Sequence, residues 1–323
     1  MIVAENLRIP WDIAFLPSGE LLVTERSGTL LRIGDDQKKY EIEGVHHRGE
    51  GGLLGIALHP DFERNKLLYL YLTTKDGGGV SNRIERYRYH DDELTERLEI
   101  LSGIPGSLYH DGGRIAFGPE GFLYITTGDA GEAQNAQEKN SFAGKILRIE
   151  DDGTIPADNP FGNVVYSYGH RNPQGLTWDD QGRLWSTEHG RSGLQSGYDE
   201  LNLIEKGKNY GWPVIEGPET REEMVAPVLQ SGPDTTWAPA SALFYDGSIF
   251  FGGLKGEALY EATIDGGGEL ELFTHLLHAY GRIRTVTMGP DGFFYLTTSN
   301  TDGRGDPAAN DDRIIRIDPK SLR

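Results

Sequence analysis

His110-Asp111-Gly112-Gly113-Arg114-Ile115-Ala116-Phe117-Gly118-Pro119-Glu120-Gly121-Phe122-Leu123-Tyr124-Ile125-Thr126-Thr127-Gly128-Asp129 reads as two apolar runs joined by a Pro-Glu-Gly turn, with a polar residue at each far end. Two such runs around such a turn make a β-hairpin. A hairpin folds its ends together, so His110 and Asp129 are expected at one edge. A histidine and a carboxylate at a shared edge are the minimum for an oriented general base.

The unit recurs along the chain. Residues 11–25 turn at Phe15-Leu16-Pro17-Ser18-Gly19, 55–72 at His59-Pro60-Asp61-Phe62, and 174–188 at Asp179-Asp180-Gln181-Gly182. Residues 240–253 turn at Tyr245-Asp246-Gly247, and 284–299 at Gly289-Pro290-Asp291-Gly292. Six copies at a period of roughly 45 to 65 residues are the signature of a propeller or array. A third strand is expected after each hairpin, at 29–33, 82–89, 144–149, 199–204, 257–264 and 313–317. Three strands per repeat with room for a fourth describe a propeller blade. A sandwich of many short strands competes, and six in-phase copies disfavour it.

The expectation is therefore all-β: a single domain over residues 1–323, a six-bladed β-propeller with four-stranded antiparallel blades. Residues 2–8 have no partner in their own repeat, and the last repeat lacks an outer strand. The N-terminal strand is expected to supply it, closing the ring and removing an exposed edge. Long connections at 74–80, 130–140, 151–163, 191–198, 217–237 and 300–311 are rich in Gly, Asn, Asp and Pro. Loops of that length in a compact fold are usually functional.

Composition narrows the classes. The chain has 323 residues and 44 glycines, which suits one large core and a fold made of turns. No apolar run reaches about 18 residues, and the start has no charged segment leading into an apolar stretch; neither a membrane-spanning helix nor a signal peptide is expected here. With no cysteine, disulfides and thiolate metal sites are excluded, and the compartment stays open. Thirty-one basic against fifty acidic residues give a net charge of −19, a field that repels nucleic acid and anionic membranes.

In each repeat the turn lies at one end, so the residues flanking the hairpin lie at the other. Those flanks include Glu50, His110, Arg171, Asn172, Trp237, Arg282 and Arg284 on entry, and Glu25, Asp129, Glu188, Gly190, Lys255 and Asn300 on exit. Such a convergence is a natural place for a ligand. Arg171, Lys255, Arg282 and Arg284 stand out in an acidic protein: either each is paired with an acid, as most surface cations are, or together they hold a multiply charged anion. A lone His110 would more often be a solvated loop histidine; Asp129 raises the case for a base with a fixed tautomer. His46, His47, His59 and His90 have no such company. Trp237 is a core residue or a flat face for a ring. Gly49-Glu50-Gly51-Gly52 lacks the strand-to-helix context of a phosphate loop.

Several runs together resemble one family. Gly51-Gly52-Leu53-Leu54-Gly55-Ile56-Ala57-Leu58-His59-Pro60-Asp61-Phe62, His110-Asp111-Gly112-Gly113-Arg114 and Tyr168-Gly169-His170-Arg171-Asn172-Pro173-Gln174-Gly175 are similar to segments of the soluble pyrroloquinoline quinone (PQQ)-dependent aldose sugar dehydrogenases, the family of soluble glucose dehydrogenase. Thr187-Glu188-His189-Gly190, Asp199-Glu200-Leu201-Asn202, Asn209-Tyr210-Gly211-Trp212-Pro213, Leu254-Lys255-Gly256 and Gly281-Arg282-Ile283-Arg284 extend the match in order over nearly the whole chain.

The resemblance implies a six-bladed propeller with PQQ at the channel mouth, oxidising the C1 hydroxyl of an aldose to the lactone. It implies that His110 takes the proton from the anomeric hydroxyl while a hydride passes to a quinone carbon, with Asp129 orienting His110. Arg171, Asn172, Lys255, Arg282 and Arg284 would hold the cofactor's carboxylates and quinone oxygens, with Arg171 also facing the charge that develops there, and Trp237 would flank its ring. Glu50 stands where some relatives have glutamine and would contact cofactor or sugar. A calcium ion would sit on the carbonyls of Gly190 and Arg191, the latter where a proline is usual. By the same likeness the protein would work outside the cytoplasm and pass electrons to an external acceptor.

Two other classes compete. A metal-dependent propeller lactonase needs convergent acids, and the flanks gather cations instead. A propeller that binds a ligand without chemistry is opposed only by the His110–Asp129 pair.

Overall fold

The computed structural model describes residues 1–193, 196–264 and 270–322. The second strand of the repeats is rich in apolar residues, and in five of the six the structure buries it on both faces. Leu21–Glu25, Leu123–Thr127, Leu184–Glu188, Ser248–Gly253 and Phe294–Thr298 are buried at every position. Strands covered on both sides read as unbroken runs of Leu, Ile, Phe, Tyr and Thr rather than as alternation. The outermost strand Gln37–Glu41 does alternate, with every second residue turned to solvent.

The strands pair into six four-stranded sheets, and the fold is an all-β propeller of six antiparallel blades. Five blades take four consecutive strands. The sixth takes Ile283–Met288, Phe294–Thr298 and Ile314–Ile317, and its fourth strand is Ile2–Ala4 from the opposite end of the chain. Ile2 pairs with Ile315 and Ala4 with Ile314, so the N-terminal strand covers the edge that the last repeat left open.

The contacts divide the chain into two compact units, one made of 12–173 with 206–214 and the other of 1–11, 174–205 and 215–323. In the first unit Leu22, Leu30, Leu53, Leu68, Leu70 and Leu72 form one apolar cluster with no exposed surface, each contributing roughly 1.5–3 kcal/mol. Asp12, Arg114 and the amides of Ile13 and Ile56 tie together the inner strands of this unit's three blades. The Asp12 carboxylate accepts from those amides at 2.9 and 3.2 Å and pairs with the Arg114 guanidinium, and both side chains are buried. In the second unit the Trp185, Trp237, Phe251 and Tyr260 rings share a core, and Thr285 donates to the Trp11 carbonyl at 2.7 Å. Buried threonine hydroxyls thereby satisfy carbonyls on the inner edge of a neighbouring blade.

Two expectations change in detail. Residues 74–80 are not a long connection: Leu67–Asp76 and Gly79–His90 are one long hairpin, with Lys75 opposite Val80 and Asp76 opposite Gly79. The glycine pair between them makes a two-residue turn, which imitates a loop in composition. The second repeat turns through a short helix, Phe62–Asn65. Of the connection 191–198, positions 194 and 195 lie outside the described residues.

Candidate active site

His110 leads into the strand Ile115–Phe117, and Asp129 follows Leu123–Thr127, its antiparallel neighbour. The hairpin brings His110 Nδ1 to 2.7 Å from Asp129 Oδ1. Asp129 is buried, yet both its oxygens are engaged. Oδ1 also accepts the Gly131 N–H at 2.8 Å, and Oδ2 accepts the Trp212 indole N–H at 2.9 Å. Burial pushes the Asp129 carboxyl up, but the contacts from His110, Gly131 and Trp212 outweigh it and hold the group below its ordinary value. An ionised Asp129 can only accept, so Nδ1 carries the proton of this bond.

The backbone at His110 has a φ of +61°, a left-handed conformation that few residues other than glycine adopt. Two contacts from another blade hold it. The Glu50 carboxylate accepts the His110 N–H at 3.0 Å, and the Glu50 N–H donates to the Leu108 carbonyl at 3.0 Å. Gly49 lies so close to that carbonyl that a Cβ would collide with it. Beside them Asp111 is buried, accepting from Asn82 Nδ2 at 3.0 Å and the Ser107 N–H at 3.1 Å. Burial pushes its carboxyl up to about 7, and the charge of Glu50 adds to the rise.

Arg171 and Asn172 lie at the same end of the next inner strand, Pro173–Trp178. The Arg171 carbonyl accepts the Asp129 N–H at 2.8 Å, and the guanidinium lies 5.4 Å from the centre of the Trp212 ring. Asn172 accepts the Gly112 N–H at 3.0 Å, while its Nδ2 is buried with no hydrogen-bond partner among the described residues. A buried amide donor without a partner is costly unless a ligand meets it. The donor set here, a guanidinium and an orphaned amide beside a carboxylate-bonded histidine, suits a ligand rich in carboxylate and quinone oxygens, and PQQ fits that description.

The second unit carries the remaining expected residues. Arg282 is not a bare cation: it pairs with Asp302 at 2.9 Å and donates to the carbonyls of Leu254 at 2.9 Å and Ser299 at 3.2 Å. Burial pushes Asp302 up, and the charges of Arg282 and Arg284 more than reverse it, holding its carboxyl below the usual range. Arg284 donates to Gln174 Oε1 at 3.2 Å and to Ser299 Oγ at 3.3 Å, with its guanidinium 5.6 Å from the Trp11 ring centre. Lys255 is exposed, its N–H bonded to the Trp237 carbonyl at 3.0 Å. Trp237 is only 4% exposed and packs on Phe251 and Tyr260. Gly190 donates its N–H to Asp199 Oδ1 at 2.8 Å, and the other Asp199 oxygen accepts the amides of Trp237 and Ala238. Arg191 reaches Glu216 at 3.2 Å and lies over the Tyr198 ring.

Sequence reasoning missed Trp212, Asp302 and Gln174. Trp212 stands in a quoted motif, but its partner Asp129 is 83 residues away, beyond any spacing argument.

The glucose/sorbosone dehydrogenase family model matches residues 7–315. The aldose sugar dehydrogenase YliI of Escherichia coli K12 is 32% identical over 99% of this chain and 92% of its own. The quinoprotein glucose dehydrogenase B of Acinetobacter calcoaceticus is 34% identical over 67% of this chain and 52% of its own. The solved PQQ-bound form of the Streptomyces coelicolor aldose sugar dehydrogenase superposes with a TM-score of 0.92 at 40% identity, covering 98% of this chain and 96% of that one. On a propeller whose repeat presents a carboxylate-oriented histidine, and on a match that spans nearly all of it, this chain belongs to the glucose/sorbosone dehydrogenase family of oxidoreductases.

Proposed function

We propose that this chain is a PQQ-dependent aldose dehydrogenase that oxidises the C1 hydroxyl of an aldose to the lactone. The observation that carries the reading is the His110–Asp129 pair, 2.7 Å apart, beside the orphaned Asn172 amide. When bound, PQQ supplies the two-electron acceptor. His110 takes the hydroxyl proton on Nε2, and Asp129, already ionised, stabilises the imidazolium that results. Glu50 keeps the His110 backbone in the conformation that points the ring, so its influence on the cofactor or sugar runs through that amide.

Arg171 and Asn172 are assigned to the cofactor's oxygens, with Arg171 answering the negative charge that grows as electrons arrive. Lys255, Arg282 and Arg284 are assigned to its carboxylates, and Trp237 to an edge beside its ring. Calcium is assigned to the carbonyls of Gly190 and Arg191, a donor type that suits it. The Asp199 bond holds the peptide that leads into Gly190. By likeness to the family, an external acceptor collects the electrons outside the cytoplasm. Among the described residues no helix is long and apolar enough to cross a membrane.

The test is reconstitution. The chain is loaded with PQQ and calcium and given an aldose with an artificial acceptor. Dye reduction that requires both aldose and PQQ is expected, and His110→Ala should lower turnover by about two to four orders of magnitude while PQQ still binds. Hydrolysis of a lactone without PQQ would point to the lactonase class instead, and unchanged turnover in His110→Ala would remove the base.

A further inference from the structure

We propose that Trp212 is a positioning residue that sets the orienting carboxylate and the neighbouring cation together. The proposal rests on the reading of His110 as the base. Asp129 Oδ1 serves His110 and Gly131, and a carboxylate held through one oxygen can still rotate about its Cβ–Cγ bond. The Trp212 indole N–H at Oδ2, 2.9 Å away, stops that rotation and so aims Oδ1 at the imidazole. The face of the same indole lies under Arg171, whose carbonyl holds the Asp129 N–H. One side chain thus links the group that orients the base to the guanidinium assigned to the cofactor.

Trp212 is itself held on its backbone. Its N–H donates to the Gly169 carbonyl at 2.9 Å, and its carbonyl accepts Gln137 Nε2 at 2.6 Å. Gln137 and Asn209 exchange reciprocal amide bonds of 3.1 and 2.8 Å. Gln137 ends the 3₁₀ turn Ala133–Gln137. That turn is anchored from below by the fully buried Lys145, whose Nζ donates to the carbonyls of Asn135, Ala136 and Ala143 at 2.8, 3.0 and 2.6 Å. A half-buried ring supported this thoroughly has little freedom, and preorganisation is what a site needs from residues behind its reacting groups.

The test uses the full chain, without and with PQQ. Five tryptophans give five indole N–H resonances in a nitrogen-15 spectrum. One of the five should shift in Asp129→Asn, and the same one should be missing in Trp212→Phe. Loaded with PQQ, Trp212→Phe should lose about ten- to a hundredfold in kcat, the worth of one hydrogen bond to a charged group, with KM for the aldose nearly unchanged. Its PQQ affinity should stay within about threefold because phenylalanine keeps a ring face under Arg171, whereas Trp212→Leu should weaken PQQ binding as well.

If no indole resonance responds to Asp129→Asn, the proposal is overturned. It is equally overturned if Trp212→Phe turns over like wild type while His110→Ala is dead. If His110→Ala is itself active, the base reading fails, while a shifted Trp212 resonance still upholds the Trp212–Asp129 link. Should Trp212→Phe not fold, the Asp129→Asn spectrum decides alone.

Discussion

Asp129→Asn is the substitution whose outcome the geometry constrains most tightly. The carboxylate takes His110 Nδ1 and the Gly131 N–H on one oxygen and the Trp212 indole on the other. An asparagine has one accepting oxygen and one donating nitrogen. With its oxygen toward His110 and Gly131, the NH2 confronts the Trp212 N–H, donor against donor. Flipped, the NH2 confronts Gly131 and can donate to His110 Nδ1, which drives the imidazole proton onto Nε2 and removes the base. Either way one donor loses its acceptor, at about 1–3 kcal/mol. On the proposed mechanism, the imidazolium that His110 would become also loses its charged partner. Replacing a charged by a neutral acceptor forfeits about 1–2 kcal/mol and predicts a kcat roughly 5- to 30-fold lower, and more if the flipped amide dominates.

The assay is steady-state dye reduction with PQQ saturating, paired with denaturant unfolding across pH. Asp129 is held below its ordinary value when folded, so its stabilising contribution is complete above about pH 4 and is lost as the pH falls below that. The stability gap between wild type and Asp129→Asn should therefore be widest near neutrality and close toward acid. A kcat within threefold of wild type, or a gap that is constant with pH, refutes the assignment of Asp129 as the ionised orienter.

Glu50→Gln keeps an acceptor for the His110 N–H and should stay within about fivefold of wild-type kcat, whereas Glu50→Leu leaves that left-handed amide unheld and should cost tenfold or more; equal activity of the two variants would show that the bond does not matter. Asp12→Leu should cost about 3–5 kcal/mol in urea unfolding, because it removes one partner of a buried ion pair. The double variant Asp12→Leu, Arg114→Met should recover part of that loss, and a double variant worse than the single would contradict the pair.

Local signals made the architecture legible. Each hairpin carries its own turn chemistry, and the third strands at 29–33, 144–149 and 313–317 begin within one residue of Thr29–Ile33, Lys145–Ile149 and Ile314–Ile317. The His110–Asp129 contact was legible for the same reason, since one hairpin supplies both residues. The Glu50 contact with His110 was not: it crosses 60 residues and uses a backbone N–H that every residue possesses. The packing of Trp237 on Phe251 and Tyr260 could not be read from sequence, because a tryptophan at a strand entry looks the same whatever its faces meet.

Arg282 carries the sharpest lesson about the cations. At the blade ends the cations are expected either to pair with acids or to hold an anion together. Arg282 arrives with Asp302 and two carbonyls as partners, and Arg284 with Gln174 and Ser299. That pairing does not argue against an anion site. A free guanidinium would lose side-chain entropy on closing over a ligand, whereas one already bonded on several nitrogens has lost it during folding. The acids and carbonyls behind these arginines set the direction of the remaining N–H groups before a ligand arrives. Asp302→Asn should accordingly weaken PQQ binding, although the charge it removes would oppose the carboxylates of a bound cofactor. If the variant bound PQQ more tightly, the role of Asp302 would be simple charge neutralisation, and the rigidity argument would fail.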